Sequence, residues 1–145
     1  MKTAYSLLFL AVSSLLGFAA EYRCCLPWEV LVVNQQGQPL PDCTVVQEWG
    51  YNFGSTATNF TEQVVTDSTG RVRLPQRGVA YPITVREKVA DRLAVRPGLG
   101  PWANVFVWKT GYEGQFVYLK HDARAVYTTN GLFSRVVLRS AQPPN

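Results

Sequence analysis

The sequence has little of the side-chain chemistry that most enzyme active sites use. Its 145 residues include one histidine, and neither a Gly-x-Ser-x-Gly nucleophile motif nor an HExxH zinc motif occurs. The histidine, His121, precedes Asp122, but neighbouring residues on a strand point to opposite faces, so we interpret it as a solvated strand-end or loop residue. These absences argue against serine hydrolase and zinc peptidase chemistry. They predict a protein that is not an enzyme and that has no cofactor and no metal site.

Cysteine is also scarce, since the chain has only Cys24, Cys25 and Cys43 and no CxxC pair. In an oxidising compartment three cysteines predict one disulfide and one remaining thiol. Adjacent cysteines rarely bond each other, because a disulfide needs Cα atoms about 4.4–6.8 Å apart. We therefore predict a Cys25–Cys43 disulfide, with Cys24 as the alternative partner. A fully reduced set, an intermolecular bridge and a Cys43 that is simply buried stay open.

Only the N-terminus carries a long apolar run. Met1-Lys2-Thr3 precedes an uncharged stretch from Ala4 to Ala20, and the first acidic residue is Glu21. This order is typical of a secretory signal, and the run is shorter than the roughly 20 residues that span a bilayer. It predicts a signal peptide over 1–20 and a secreted chain that is extracellular, periplasmic or at the cell surface. An uncleaved anchor is the alternative, and no stable membrane insertion is expected after cleavage.

A dense basic cluster is missing as well. The formal net charge is +4, but the arginines and lysines between residues 71 and 96 are interspersed with acidic residues. This pattern is typical of a solvated, mixed-charge surface, whereas nucleic-acid binding favours a concentrated basic patch. We therefore expect no nucleic-acid partner.

Short β-branched runs separated by turn-forming residues make up most of the remaining chain. Runs 26–33 and 44–49 are rich in valine and flank a stretch with two prolines and a glycine, which predicts strand, turn, strand. Asp67 and Gly70 suit the first and fourth positions of a type I-based hairpin turn between runs 64–66 and 71–74. Further strands are predicted over 103–109, 115–120 and 132–139.

One segment has helical spacing instead. Thr84 and Glu87 form a capping box, and Val85, Val89 and Leu93 recur every four residues. We predict one short amphipathic helix near 85–95. The overall prediction is a mainly β protein, an antiparallel β-sandwich of seven or so strands that is transthyretin-like or Ig-like, over 21–140, with a disordered tail over 141–145.

The turn motifs resemble one family of secreted and cell-surface domains. The stretch 33–40, the stretch from Thr66 through Gly70 to Pro75, and a later Val107 with Gly111-Tyr112 are similar to the carboxypeptidase regulatory-like domain. The resemblance implies a transthyretin-like (prealbumin-like) sandwich with a docking or binding role. Two enzyme groups on related sandwiches need more histidines than this chain has: the hydroxyisourate hydrolases need several, and the intradiol ring-cleaving dioxygenases need two histidines and two tyrosines on iron.

Aromatic residues are the most suggestive surface feature. They flank a Gly/Ser/Thr/Asn-rich stretch near 49–60 and cluster again over 102–112. Exposed rings can stack on sugars or anchor a protein, although large aromatics are usually buried. We predict ligand binding by Trp102, Trp108 and Tyr112. Asn59 begins an Asn-Phe-Thr glycosylation sequon, which predicts a surface loop and glycosylation where the host has that machinery.

The resulting functional prediction is a secreted, non-enzymatic β-sandwich with an interaction or structural role at the cell envelope or outside the cell. Its expected partner is a protein or an envelope component. The alternative is a carbohydrate-binding module that uses loop aromatics. A third hypothesis is a small hydrolase with an unrecognised carboxylate site.

Overall fold

The computed structural model describes residues 18–53, 56–83, 100–119 and 122–141 of the chain. These residues form ten β-strands: β1 (Phe18–Cys25), β2 (Trp28–Val33), β3 (Thr44–Phe53), β4 (Thr56–Val65), β5 (Arg71–Leu74), β6 (Arg77–Ile83), β7 (Gly100–Trp108), β8 (Gln115–Tyr118), β9 (Ala125–Thr128) and β10 (Gly131–Val137). The described part contains no helix. The prediction of a mainly β sandwich is confirmed.

The strands form two four-stranded sheets and one two-stranded sheet. The first sheet has the order β5-β2-β10-β9, the second has the order β4-β3-β7-β8, and β1 pairs with β6. All pairs are antiparallel except β10 with β2, which run parallel. We call the first sheet the β2 sheet and the second the β3 sheet.

The core lies between the β2 and β3 sheets because each contributes one row of alternating apolar side chains. Val30, Val32 and Val136 come from the β2 sheet and are completely buried. Val45 and Val105 come from the β3 sheet and are equally inaccessible. All five belong to one cluster, as expected when strands with a period of two place one face on a common core.

The chain changes sheets at two of the predicted turns. The loop after β2 is held by Asn34, whose Oδ1 accepts hydrogen bonds from the backbone N–H groups of Gln36 and Gln38. The chain then enters β3, which belongs to the opposite sheet. The turn after β4 likewise leads into β5 of the other sheet, so the predicted 64–74 hairpin does not form as a strand pair.

Gly70 is required at the end of this second turn. Its φ is +70°, and a Cβ there would lie 2.6 Å from the carbonyl oxygen of Val32. The Gly70 N–H donates to the Asp67 carbonyl at 2.9 Å, which closes the turn. Glycine alone accepts both the left-handed conformation and the close approach without strain.

The Asp67 carboxylate stabilises the same turn, and this makes the turn sensitive to acid. It accepts hydrogen bonds from the Thr69 hydroxyl and from the N–H groups of Thr69 and Arg71. The Thr69 hydroxyl is the largest cause of a pKa held below the usual value near 3.8. A depressed folded-state pKa adds stability above the unfolded pKa and loses it as the pH falls through the folded pKa.

We therefore expect Asp67→Ala to destabilise the protein at neutral pH, and the difference from wild type to shrink as the pH falls below about 3.8. Urea unfolding of both proteins between pH 7 and pH 2.5 measures this difference. A difference that stays constant over that range would contradict the assignment.

Three predictions fall wholly or partly outside the described residues: the signal peptide, the helix and the C-terminal tail. The predicted helix near 85–95 lies outside them, as do residues 1–17 and 142–145. The predicted end of the signal peptide, Ala20, lies within β1, where it pairs with Tyr81. The structure therefore gives no support to a signal peptide that ends there. Ala141 donates its N–H to the Gly111 carbonyl at 2.9 Å, so it is anchored.

The described part of the chain has no helix of the length and apolar character that crossing a membrane requires.

Candidate functional site

A surface cleft lies at one end of the β2 sheet, where four strands and a turn meet. Its volume is about 430 Å³. Ligand pockets typically measure about 300–1,000 Å³ and combine an apolar lining with a few convergent polar groups. Both kinds of side chain are present here. The lining consists of Pro27, Trp28, Glu29, Arg73, Leu74, Thr128, Asn130, Leu132 and Phe133.

Strand register brings the central residues of the cleft together. Glu29 of β2 is paired with Arg73 of β5 on one side and with Phe133 of β10 on the other. Directly opposed residues project from the same face, so these three side chains form one row across the outer face of the sheet. The row places a carboxylate between a guanidinium and an aromatic ring.

The two arginines beside Glu29 are not equivalent. Arg71 forms a hydrogen-bonded ion pair with Glu29, whereas Nε of Arg73 lies 3.6 Å from the Glu29 carboxylate, beyond hydrogen-bond distance. The Arg73 side chain is 88% exposed. Arg73 therefore keeps a weaker ion pair with the second carboxylate oxygen of Glu29 and leaves most of its side chain exposed at the cleft.

The far wall is the turn between β9 and β10, and it depends on Gly131. The φ of Gly131 is +137°, and a Cβ would lie 2.2 Å from the Pro27 carbonyl oxygen. That carbonyl accepts a hydrogen bond from the Leu132 N–H at 2.7 Å. This close approach fixes the turn that carries Asn130 against the start of β2.

A second polar group lies deeper in the protein, near the β1–β6 sheet. Gln47 is completely buried on the inner face of β3. Its Oε1 accepts a hydrogen bond from Nε of Arg77 at 2.8 Å, and its Nε2 donates to the Cys25 sulfur at 3.4 Å. Arg77 also pairs with Glu62 and lies 4.2 Å above the Trp49 ring. Every member has a partner, so this group stabilises the fold.

The predicted Cys25–Cys43 disulfide is wrong. Cys24, Cys25 and Cys43 are all free and buried. The Cys25 sulfur lies beside Gln47, which is four residues along the chain from Cys43. Four residues of extended chain span roughly 13 Å, which exceeds the Cα separation that a disulfide accepts.

Burial also predicts low reactivity for these thiols. Desolvation is the main cause that raises the pKa of Cys24, of Cys25 and of Cys43. The thiolate is the reactive species, so a raised pKa combined with burial predicts slow modification. We expect a thiol reagent at pH 8 to label three cysteines in denaturant and none in the folded protein at short times. If fewer than three cysteines were labelled in denaturant without reductant, a disulfide would be present after all.

The three predicted aromatic ligand-binding residues have different environments. Trp102 is partly buried, and its Nε1 donates to Asn52 Oδ1 at 3.1 Å. Tyr112 packs against the core cluster. Trp108 is 41% exposed. Trp102 and Trp108 lie on the same outer face of β7, and Tyr112 lies in the loop that follows β7.

The sequence prediction missed two neighbouring rings, Phe116 and Tyr118 of β8. They are 42% and 46% exposed. Phe116 stacks with Phe106 at 4.4 Å between ring centroids and with Tyr118 at 5.8 Å. The alternation of aromatic residues along β8 was the available signal, because it matches the alternation of Phe106 and Trp108 along β7.

The remaining predicted positions are placed as follows. Asn59 is exposed but lies within β4, so the prediction of a loop there is wrong. His121 lies outside the described residues. The Asp122 carboxylate accepts hydrogen bonds from Arg124, which hold its pKa below the usual value. Among the described residues no group of three or more His, Cys, Asp or Glu side chains could hold a metal ion.

No protein-family model and no curated protein sequence matches this chain. Solved structures are similar to it at low identity. Catechol 1,2-dioxygenase from Pseudomonas arvilla C-1 has 19% identity and a TM-score of 0.48, over 84% of this chain and 54% of that one. The 3-chlorocatechol 1,2-dioxygenase from Rhodococcus opacus 1CP has 17% identity and a TM-score of 0.47, over 80% and 60%. Hydroxyquinol 1,2-dioxygenase from Pseudomonas putida DLL-E4 has 12% identity and a TM-score of 0.44, over 81% of this chain and 57% of that one.

This comparison corrects the functional prediction. The structures that the chain resembles are dioxygenases, which contradicts the prediction of a non-enzymatic module and its carbohydrate-binding alternative, and none of the three is a hydrolase. The chain spans only 54–60% of the length of these three enzymes, and TM-scores below 0.5 assign no residue role. The chain has one histidine, so it does not supply the two histidine ligands of the iron set described above. The resemblance to the carboxypeptidase regulatory-like domain stays a prediction.

Proposed function

We propose that this chain binds a small aromatic carboxylate in the cleft at the end of the β2 sheet. The observation that carries the proposal is the row formed by Arg73, Glu29 and Phe133 within a cleft of about 430 Å³. A guanidinium can donate two parallel hydrogen bonds to a carboxylate that lies in the same plane. The Phe133 ring offers an apolar surface for the ligand's ring.

Charge in the cleft favours an anion over a cation. Arg71 and Arg73 both lie next to Glu29, so the row and its neighbour carry one excess positive charge. Asn130 and Thr128 add polar groups on the opposite wall. Glu29 itself is engaged by Arg71, and its role is to hold the two arginines apart and in register.

Benzoate, the smallest aromatic carboxylate, is the direct probe. We expect it to bind with a dissociation constant on the order of 1 mM, as suits about nine non-hydrogen atoms. Arg73→Ala should weaken binding at least about tenfold, because it removes the charge-assisted pairing. Ligand-observed NMR titration of both proteins measures the two constants.

Two controls separate the anion contact from general apolar binding. Arg135→Ala removes an exposed arginine from the same sheet face that does not line the cleft, and it should leave the constant unchanged. Benzamide has the same ring without the charge, and it should bind wild type and Arg73→Ala equally weakly. Equal binding of benzoate by wild type and Arg73→Ala would contradict the proposal.

A further inference from the structure

The outer face of the β3 sheet is nearly uncharged, unlike the outer face of the β2 sheet. Register and alternation give its outward side chains: Asn59, Thr61, Gln63 and Val65 of β4; Thr44, Val46, Glu48 and Asn52 of β3; Trp102, Asn104, Phe106 and Trp108 of β7; Phe116 and Tyr118 of β8. Glu48 is the one charged residue in this set. The described outer face of the β2 sheet has four charged residues: Glu29, Arg71, Arg73 and Arg135.

This face, which we call the aromatic face, has the composition of an interface core. Interface cores are depleted in charged residues and enriched in aromatic ones. Phe116, Tyr118 and Trp108 are each more than 40% exposed, and Val65 is 58% exposed. Phe106, Phe116 and Tyr118 stack into one apolar patch, and an exposed patch of this kind on a folded chain marks a surface that another molecule covers.

The free edge of β8, next to the exposed rings, is closed to strand addition, so a partner at these rings covers the face and does not extend the sheet there. The Phe116 carbonyl accepts a hydrogen bond from Arg124, and the Tyr118 carbonyl accepts one from the Asp122 N–H. These are backbone acceptors that an added strand would need.

We propose that the aromatic face is the interface of a symmetric dimer, and that its occupant is the same face of a second copy of this chain. The face is four strands wide: β3 and β4 have ten residues each, β7 has nine and β8 has four. At about 4.8 Å per strand and 3.4 Å per residue its flat area is roughly 550 Å². A standard interface buries about 800 Å² of accessible surface per partner, and ridged side chains raise the accessible area above the flat one.

A second copy satisfies what the face requires of a partner. The partner surface must be flat and almost uncharged, because a charge placed over Phe106 and Phe116 would lose its water without gaining a counter-charge. An identical face is equally flat, and its one charged residue, Glu48, lies in the row of Thr61 and Asn104 and not in the row of Phe106 and Phe116. Two twisted sheets pack with their strands at about −30° and about 10 Å apart. An isologous contact of this kind closes on itself, so it gives a dimer and no larger assembly.

Native mass measurement tests the dimer. Weak interfaces of this size have micromolar dissociation constants, so the full chain should be dimeric at about 100 µM. Light scattering at that concentration should give twice the mass that the same sample shows in denaturant. Phe116→Glu and Trp108→Glu each place a charge in the interface, so both should give the single-chain mass and weaken association at least about tenfold. Val126→Glu is the matched control, since Val126 is 52% exposed on the β2 sheet, and it should remain dimeric.

The variants are compared only if their far-ultraviolet circular dichroism spectra and unfolding midpoints match those of the wild type. If Phe116→Glu does not fold, Trp108→Glu provides the test. A wild-type chain that has the single-chain mass at this concentration overturns the proposal, whichever other molecule is later found on the face. A folded Phe116→Glu or Trp108→Glu variant that stays dimeric, or a Val126→Glu variant that dissociates, overturns it as well.

Discussion

Replacement of Trp28 by alanine is expected to lower the free energy of unfolding by about 4 kcal/mol, in the range for large aromatic residues in cores. Trp28 is 1% exposed and packs in the cluster between the β2 and β3 sheets. Its Nε1 donates to Ser134 Oγ at 3.0 Å, and Ser134 is also buried. The substitution therefore leaves a cavity and an unpaired buried hydroxyl, two costs that add.

Chemical denaturation measures this loss, with two variants for comparison. Trp28→Phe keeps much of the ring volume but removes the N–H donor, so its loss should be smaller, about 1–3 kcal/mol. Tyr127→Ala removes a ring that is 67% exposed and should change stability by less than about 0.5 kcal/mol. A Trp28→Ala protein as stable as Tyr127→Ala would refute the assigned core.

Replacement of Arg77 by methionine is expected to cost about 3 kcal/mol, although arginine is usually a surface residue. The loss of the Nε donor leaves the completely buried Gln47 without its partner, which costs about 1–3 kcal/mol. The contact with the Trp49 ring adds about 1 kcal/mol. The ion pair with the half-exposed Glu62 adds little.

The matched comparison is Arg73→Met, which removes the same side chain from a position where it is 88% exposed. Its effect on unfolding should lie within about 0.5 kcal/mol. Arg77→Lys keeps the charge but not the planar group or the Nε donor, so its loss should lie between the two. Equal urea midpoints for Arg77→Met and Arg73→Met would contradict the role given to Gln47.

The strands were predictable because each carries a local signal. Val30 and Val32, and Val72 and Leu74, alternate with other residues at the period of a pleated strand. Gly70 marked its turn because glycine alone fits that backbone conformation. The sheet that each strand joins was not predictable, since a turn of the same chemistry can close a hairpin or carry the chain across the sandwich.

The site depended on contacts between residues that are distant in sequence. Glu29, Arg73 and Phe133 are neighbours only because β10 runs parallel to β2 while β5 runs antiparallel to it. No spacing in the sequence indicates that row. Arg77 was equally hidden, because its buried partner Gln47 lies thirty positions away. The exposure of the predicted ligand-binding rings was not predictable either, since Tyr112 packs on the core.

The most direct test of the ligand-binding cleft is the map of backbone amide NMR shifts when benzoate is added to the full chain. We predict that the largest changes lie at Glu29, Arg73, Asn130 and Phe133, and that they saturate with one constant on the order of 1 mM. Changes confined to the aromatic face of the β3 sheet, or no changes at tens of millimolar benzoate, about ten times that constant, would contradict the account.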